Sequence, residues 1–223
     1  MTTLLRIDAS ARGVNTQDSS RGSVSRQLAT AFEQRWKMKY SQDEWIRRDL
    51  GAQPPEFISE DWIAACFTPT EQRTEAQRQI LALSDTLIEE VARADIILLS
   101  TPMYNYGMPA ALKAWFDQVI RINKTFSFDL TRGDFPLAPI MSGKSMVVLS
   151  STGEFGFEAG GIRQQMNHLV PHIRTVSHYL GVEHLFDLQV QYQEFKDQRH
   201  QDSKSTALEG IGPLMDKLGP LHK

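Results

Sequence analysis

Short apolar runs alternate along this chain with longer segments in which apolar residues recur every three or four positions. Leu4–Asp8, Ile96–Leu99 and Ser145–Ser150 are the clearest runs. The β-branched and leucine content of Ile96-Ile97-Leu98-Leu99 and of SMVVLS predicts strands buried on both faces. Glu44–Leu50, carried by Trp45 and Ile46, predicts a second strand, and Val182–Val190 a fifth. The helical pattern appears first through Leu28, Ala29, Phe32 and Trp36. It returns over Glu71–Arg93, with apolar positions Ile80, Leu83, Leu87, Ile88 and Val91. Pro109 is placed to open another helix, where its missing N–H costs nothing, with Leu112, Trp115, Phe116 and Val119 on one face and an end near Arg121. Arg163–Leu180, interrupted or started by Pro171 and stopped by Gly181, and Asp202–Leu218 complete the set. Gly51–Thr70 reads as an irregular connection with a helical turn around Asp61–Phe67. Asn123–Ser142 reads as a loop holding a short extended piece at Thr125–Phe128.

Strands alternating with helices imply a parallel sheet covered on both faces, a three-layer α/β sandwich. Five strands predict the order 2-1-3-4-5 rather than a longer dinucleotide-binding sheet. With no repeat, low-complexity tract or linker, residues 1–223 read as one domain, and that length suffices for a full core. A net charge of −3 gives no electrostatic case for nucleic acid or an anionic membrane surface. No stretch approaches the ~18 apolar residues of a membrane span, and MTTLLRIDAS lacks the apolar core of a signal peptide. The single cysteine, Cys66, excludes an internal disulfide and suits a reducing cytoplasm.

Candidate chemistry concentrates where the strands end. After Ile96–Leu99 the chain runs through Ser100-Thr101-Pro102 into a polar and aromatic corner, Met103-Tyr104-Asn105-Tyr106-Gly107, and then into the helix opened by Pro109. That placement is the carboxyl edge of a parallel sheet, where open α/β folds bind ligands. Tyrosines, a methionine and an asparagine suit a flat, partly polar ring system and point to a flavin. The loop after the first strand is rich in hydroxyls rather than glycines, with Ser10, Ser23 and Ser25. It lacks both the G-x-G-x-x-G fingerprint and the P-loop lysine motif. Serine hydroxyls and helix N–H groups serve a monophosphate, as in FMN, better than a pyrophosphate. Ser23 or Ser25 also serves as a helix cap, and Arg12, Arg21 and Arg26 are available to add charge.

Together the segments SVSRQL (23–28), PMYNYGMPAALKAWFD (102–117), KTFSF (124–128) and STG (151–153) resemble the FMN-dependent NADH-azoreductase and quinone reductase family of flavodoxin-like fold. The resemblance implies a homodimer with one FMN per subunit, and reduction of quinones or azo compounds by NADH or NADPH. It implies that Ser10, Ser23, Val24 and Ser25 bind the FMN phosphate. Pro102, Met103, Tyr104, Asn105 and Tyr106 would line the flavin ring, and Ser151, Thr152, Gly153 and Glu154 would close its far side. Phe126 and Phe128 would help shape the substrate pocket. Glu154 stands where many relatives carry a second glycine, so a carboxylate beside the ring is expected to shift its potential or to reject anionic substrates. The chemistry belongs to the flavin, with no essential side-chain acid or base. Donor and acceptor use one site in turn, which predicts ping-pong kinetics.

Two alternatives fit the same fold: a flavodoxin-like electron carrier, against which the weak net charge stands, and a flavin-free binding or regulatory module, which would purify colourless. His168 and His172 are spaced for one helix face, but Pro171 lies between them and no third ligand is evident. No metal is expected there.

Overall fold

The computed structural model describes residues 1–13 and 22–222. In chain order the strands are β1 (Thr3–Asp8), β2 (Glu44–Asp49), β3 (Ile96–Pro102), β4 (Phe126–Phe128), β5 (Leu137–Pro139), β6 (Lys144–Ser151) and β7 (Val182–Val190). The helices are α1 (Val24–Lys39), α2 (Glu60–Phe67), α3 (Glu75–Arg93), α4 (Ala110–Val119), α5 (Val170–Ser177) and α6 (Gln198–Leu218). A five-stranded parallel sheet runs in the order β2-β1-β3-β6-β7. With the antiparallel β4–β5 hairpin set aside, this is the expected 2-1-3-4-5 order.

The period of two in the strands divides the core into two layers. Leu4, Leu98, Ile96, Val147 and Leu149 face α1 and α6, where Leu28, Phe32, Trp36, Ile211 and Leu214 cover them. Leu5, Ile7, Ile97, Leu99, Met146 and Val148 face the opposite side, covered by Leu87 of α3, Leu112, Trp115 and Phe116 of α4 and Ile173 of α5. Both faces of β3 and β6 are buried, which is why their sequences read as unbroken apolar runs. Each fully buried Leu, Ile or Phe contributes roughly 1.5–3 kcal/mol.

Four elements differ from the sequence reading. The buried face of α3 runs through Leu81, Ser84, Leu87, Ile88 and Val91, whereas Ile80 and Leu83 are partly exposed. The cause is α2, whose Trp62, Ala65 and Cys66 pack on Leu81 and fix the rotation of the helix. Arg163–Leu180 is not one helix: a short turn at Gln164–Met166 precedes α5, which starts at Val170 with Pro171 in its first turn, and Gly181 ends the segment at φ 80°. The last helix begins at Gln198, earlier than Asp202, because Asp197 caps it by accepting from the Arg199 N–H. The 123–142 loop contains the β4–β5 hairpin.

One buried charged group sits among the apolar contacts of the α1 layer. Arg6 of β1 donates to Glu33 of α1 at 2.8 Å and to Asp8 at 2.9 Å. Glu33 also accepts from Lys37 at 2.5 Å and from Arg47 of β2. Burial alone would raise the Glu33 carboxyl, but donation from Lys37, Arg47 and Arg6 outweighs it and lowers its pKa to about 2. The network ties β1, the edge strand β2 and α1 together directly beneath the loop that follows β1.

Candidate functional site

The loops after β1, β3, β6 and β7 meet at the carboxyl edge of the sheet. The loop after β1 is closed by a hydrogen bond from the Ser23 N–H to the Gly13 carbonyl at 2.9 Å. Ser23 then caps α1, its hydroxyl accepting from the Arg26 N–H at a long 3.4 Å and lying 3.2 Å from the Ser25 hydroxyl. The first turn of α1 holds no acidic residue, and the N–H groups of Val24 and Ser25 have no acceptor within the helix. The Ser10 hydroxyl accepts from the Arg12 N–H at 3.2 Å. Arg21 lies outside the described residues.

Arg26 does not present its charge to this edge. Its guanidinium grips Asp49 at 2.6 and 2.5 Å and donates to the Ser10 carbonyl at 2.7 Å. The Asp49 bond raises the Arg26 pKa against the effect of burial, and the same contact lowers that of Asp49. Arg26 is thus a brace between α1, β2 and the loop carrying Ser10. Gly51, next to that brace, is required for space. A Cβ there would stand 1.9 Å from the Ser10 carbonyl oxygen.

After β3 the chain makes a tight reversal. Tyr104 and Gly107 exchange backbone hydrogen bonds at 3.1 and 3.0 Å, and Asn105 and Tyr106 between them take φ of 47° and 67°. Positive φ at both central positions is the mirror-image turn that Asn tolerates and a bulky residue such as Tyr does not adopt unaided. Three contacts hold Tyr106 there. Its carbonyl accepts from the His168 N–H at 2.9 Å, its hydroxyl donates to Glu154 at 3.2 Å, and its ring lies against Phe157. Glu154 in turn pairs with Arg163 at 3.1 Å.

The loops after β6 and β7 are laced to each other. The Gln193, Glu194 and Tyr192 N–H groups donate to the backbone carbonyls of Thr152, Gly153 and Glu154, each at 3.1 Å. Phe155 stacks on Tyr192 with ring centroids 4.5 Å apart, capped by Arg163 on one side and by Arg199 over Tyr192.

These four loops enclose a cleft of about 230 Å³. Ser10, Ser23 and Val24 line one part of it, Pro102, Met103 and Tyr104 another, and Ser151 and Gly153 a third. Five other residues singled out in the sequence are not part of this lining. Ser25 is fully buried against Ser23, and Thr152 turns its hydroxyl to the Glu154 carbonyl. Asn105 and Tyr106 form the tip of the turn, and Glu154 is drawn to Tyr106 and Arg163. Phe126 and Phe128 belong to the β4–β5 hairpin and do not line the cleft: Phe126 packs on Tyr179 and Phe128 is exposed. The sequence reading missed Gln193 and Glu194, which complete the cleft with Arg12. The available signal was their position just beyond Val190, at the end of the last strand.

Larger cavities exist, about 450 Å³ between Arg6, Glu33 and Arg47, and about 530 Å³ beside Trp62, Ile80 and Leu83. Neither brings together the loops after four strands, although Asp8 and Asp49, at the ends of β1 and β2, line the first. The first is filled with mutually paired charges, and the second lies between helices. The small cleft is therefore the candidate site on topological grounds.

A family model described as flavodoxin-like fold matches residues 2–210. An FMN-dependent NADH:quinone oxidoreductase 2 of Colwellia psychrerythraea is 58% identical over 218 residues, covering 98% of this chain and 100% of the relative. One of the same name from Idiomarina loihiensis is 55% identical, covering 98% and 91%. The FMN-dependent NAD(P)H:quinone oxidoreductase 1 of Pseudomonas aeruginosa is 36% identical, covering 91% and 93%. Among solved structures, an azoreductase from Bacillus anthracis superposes with a TM-score of 0.83 at 20% identity, covering 97% of this chain and 100% of that one.

Proposed function

This chain belongs to the flavodoxin-like fold family, and from that premise we propose that it is an FMN-dependent enzyme passing two electrons from NADH or NADPH to a quinone. The observation that carries the site assignment is the convergence of Ser10 and Ser23, Pro102–Tyr104, and Ser151 and Gly153 on one cleft from separate strand ends.

The donor set fits FMN. A monophosphate needs hydroxyl and N–H donors without competing carboxylates, and the start of α1 offers the Ser23 hydroxyl and the Val24 and Ser25 N–H groups with no acidic residue in its first turn. Ser10 stands beside them in the cleft lining. Gly153 lets the loop after β7 close against it: a Cβ there would come within 2.7 Å of the Glu194 side chain. Pro102, Met103 and Tyr104 then supply the wall for a flat ring. Asn105 and Tyr106 shape the turn of that wall, and the Tyr106–Glu154 and Thr152–Glu154 hydrogen bonds tie it to the loop after β6.

When bound, FMN supplies hydride acceptance from the nicotinamide and two-electron return to the acceptor. The protein's own part is to fix the ring with the β3 and β6 loops and to leave one face open for donor and acceptor in turn. Such sharing of one face makes the kinetics ping-pong. Quinones are the acceptor class named for the relatives, and azo compounds follow from the azoreductase names of solved structures with this fold. We take residues 1–223 as one functional unit, acting in the cytoplasm as a homodimer. The exposed Phe57, Ile63 and Phe67 supply apolar surface for such an association. Light scattering on the purified protein checks the dimer.

The deciding experiment is an anaerobic visible spectrum of the FMN-loaded protein before and after one equivalent of NADH, followed by a quinone. Bleaching by NADH and return of colour on adding quinone is the expected result. Failure to bind FMN at all would overturn the reading.

A further inference from the structure

The lacing between the loops after β6 and β7 continues beyond its backbone rungs. The N–H bonds from Tyr192, Gln193 and Glu194 reach the Glu154, Thr152 and Gly153 carbonyls and stop there. One side chain carries the lacing on. Oε1 of Gln191 accepts from the Gly156 N–H at 2.7 Å, and its Nε2 donates to the Glu158 carboxylate at 3.0 Å. The main chain of the same residue is tied the other way. Its N–H donates to the Ser203 hydroxyl of α6 at 2.9 Å, and its carbonyl accepts from Nδ1 of the buried His200 at 3.0 Å. Gln191 thus joins the start of α6 to the loop after β6.

From Gly156 the contacts run on toward both walls of the cleft. Gly156 is buried at φ 79°, and its carbonyl accepts from the Arg163 N–H at 2.7 Å, closing residues 156–163 into a loop. The Arg163 side chain donates to the Phe155 carbonyl at 3.1 Å and pairs with Glu154, which also takes the Tyr106 hydroxyl. Glu154 follows Gly153 of the lining, and Tyr106 sits in the turn that begins at Tyr104, also of the lining.

We propose that Gln191, which does not itself line the cleft, is a positioning residue for the flavin ring. It sets the loop after β6, and through Arg163 and Glu154 the turn after β3, at the spacing the ring requires. This rests on the FMN reductase reading above. Without Oε1, the buried Gly156 N–H loses its acceptor, and the loop shifts to satisfy it elsewhere. FMN must then restore the loop before the ring seats, so its apparent affinity drops by the fraction of chains still competent. The ordinary weight of one hydrogen bond makes that drop about tenfold.

The test titrates FMN into four proteins at about pH 5 and about pH 7.5, following flavin fluorescence. They are the wild type, Gln191→Met, Gln191→Glu, and Gln191→Glu combined with Glu158→Gln. Gln191→Met removes both hydrogen-bonding atoms and should bind FMN about tenfold more weakly at either pH. Gln191→Glu still accepts from Gly156 but faces Glu158. The two carboxyls share a proton at the lower pH and repel at the higher, so affinity relative to the wild type should fall about fivefold as pH rises. The exchanged pair sets a donor opposite an acceptor again. Its affinity should return to within about twofold of the wild type at both pH values. Urea melts in the same buffers establish that each chain is folded during titration. If the melts differ but FMN affinity does not, or if the exchanged pair binds no better than Gln191→Glu, the positioning inference falls and the reductase reading stands. If the wild type takes up no FMN, the reductase reading itself fails.

Discussion

Replacing Gly51 with alanine is the sharpest test of how the fold holds the cleft. The added Cβ would stand 1.9 Å from the Ser10 carbonyl oxygen and 2.7 Å from Nη2 of Arg26. These two atoms are bonded to each other at 2.7 Å, and Arg26 is also clamped by Asp49. A flexible side chain cannot turn away here, because the closest atom is backbone. The loop after β1 must move, and the Arg26 brace must loosen with it. Overpacking of this kind costs about 1–3 kcal/mol, and loss of a charge-assisted hydrogen bond about 1.5–3 more. The expected destabilisation is therefore roughly 3–6 kcal/mol, which for a chain of this size lowers Tm by about 10 °C or more. Because the moving carbonyl belongs to Ser10, FMN affinity should fall about tenfold as one phosphate contact is lost. Urea unfolding followed by tryptophan fluorescence and FMN titration measure the two effects. A Gly51→Ala protein that melts with the wild type and binds FMN equally well would refute the argument.

Three further outcomes are expected. Glu33 has a folded pKa of about 2, below its unfolded value, so its network stabilises fully above pH ~4.5 and is lost as pH falls toward 2. The loss is on the order of 3 kcal/mol, and Glu33→Gln should lose stability at neutral pH and flatten that acid dependence in urea titrations from pH 7 to pH 3. Asn105→Ala should cost ~1–2 kcal/mol because alanine gains nothing at φ 47°, while Asn105→Gly should be close to neutral by the same melts. Burial raises the pKa of Cys66 and hides its thiol, so the native protein should react with a disulfide reagent far more slowly than the urea-unfolded chain.

The parts of this molecule that were legible in sequence are those where one periodicity acts alone. β3 and β6 are covered on both faces, and α1 and α4 show single apolar stripes, so pattern and burial coincide. In α3, two neighbours compete for the helix. Ile80, Leu81 and Leu83 all fit an apolar stripe, and only the docking of α2 on Leu81 selects the rotation. Of the β4–β5 hairpin, the extended piece at Thr125–Phe128 was legible, while β5 was not, because a three-residue strand is too short to show alternation. At the site, the β3 corner announced itself through its unusual residues. Glu194 did not, since an isolated glutamate in a polar turn has the composition of any surface loop, and only its hydrogen bond to Gly153 sets it apart. The Arg26–Asp49 brace was equally hidden, because nothing local pairs residues from α1 and β2.

The cleft draws on residues from Ser10 near the start of the chain to Glu194 beyond the last strand. Its far wall depends on β7, whose loop supplies the hydrogen bonds that shape the one after β6. During synthesis, then, the first strand and its serine loop emerge long before the residues that finish the pocket. A ribosome-bound intermediate lacking β7 carries a helix start able to attract a phosphate but has no complete seat for a ring. With FMN seated in this cleft as proposed, its capture would wait until the sheet has closed, and colour would report a chain that has finished folding.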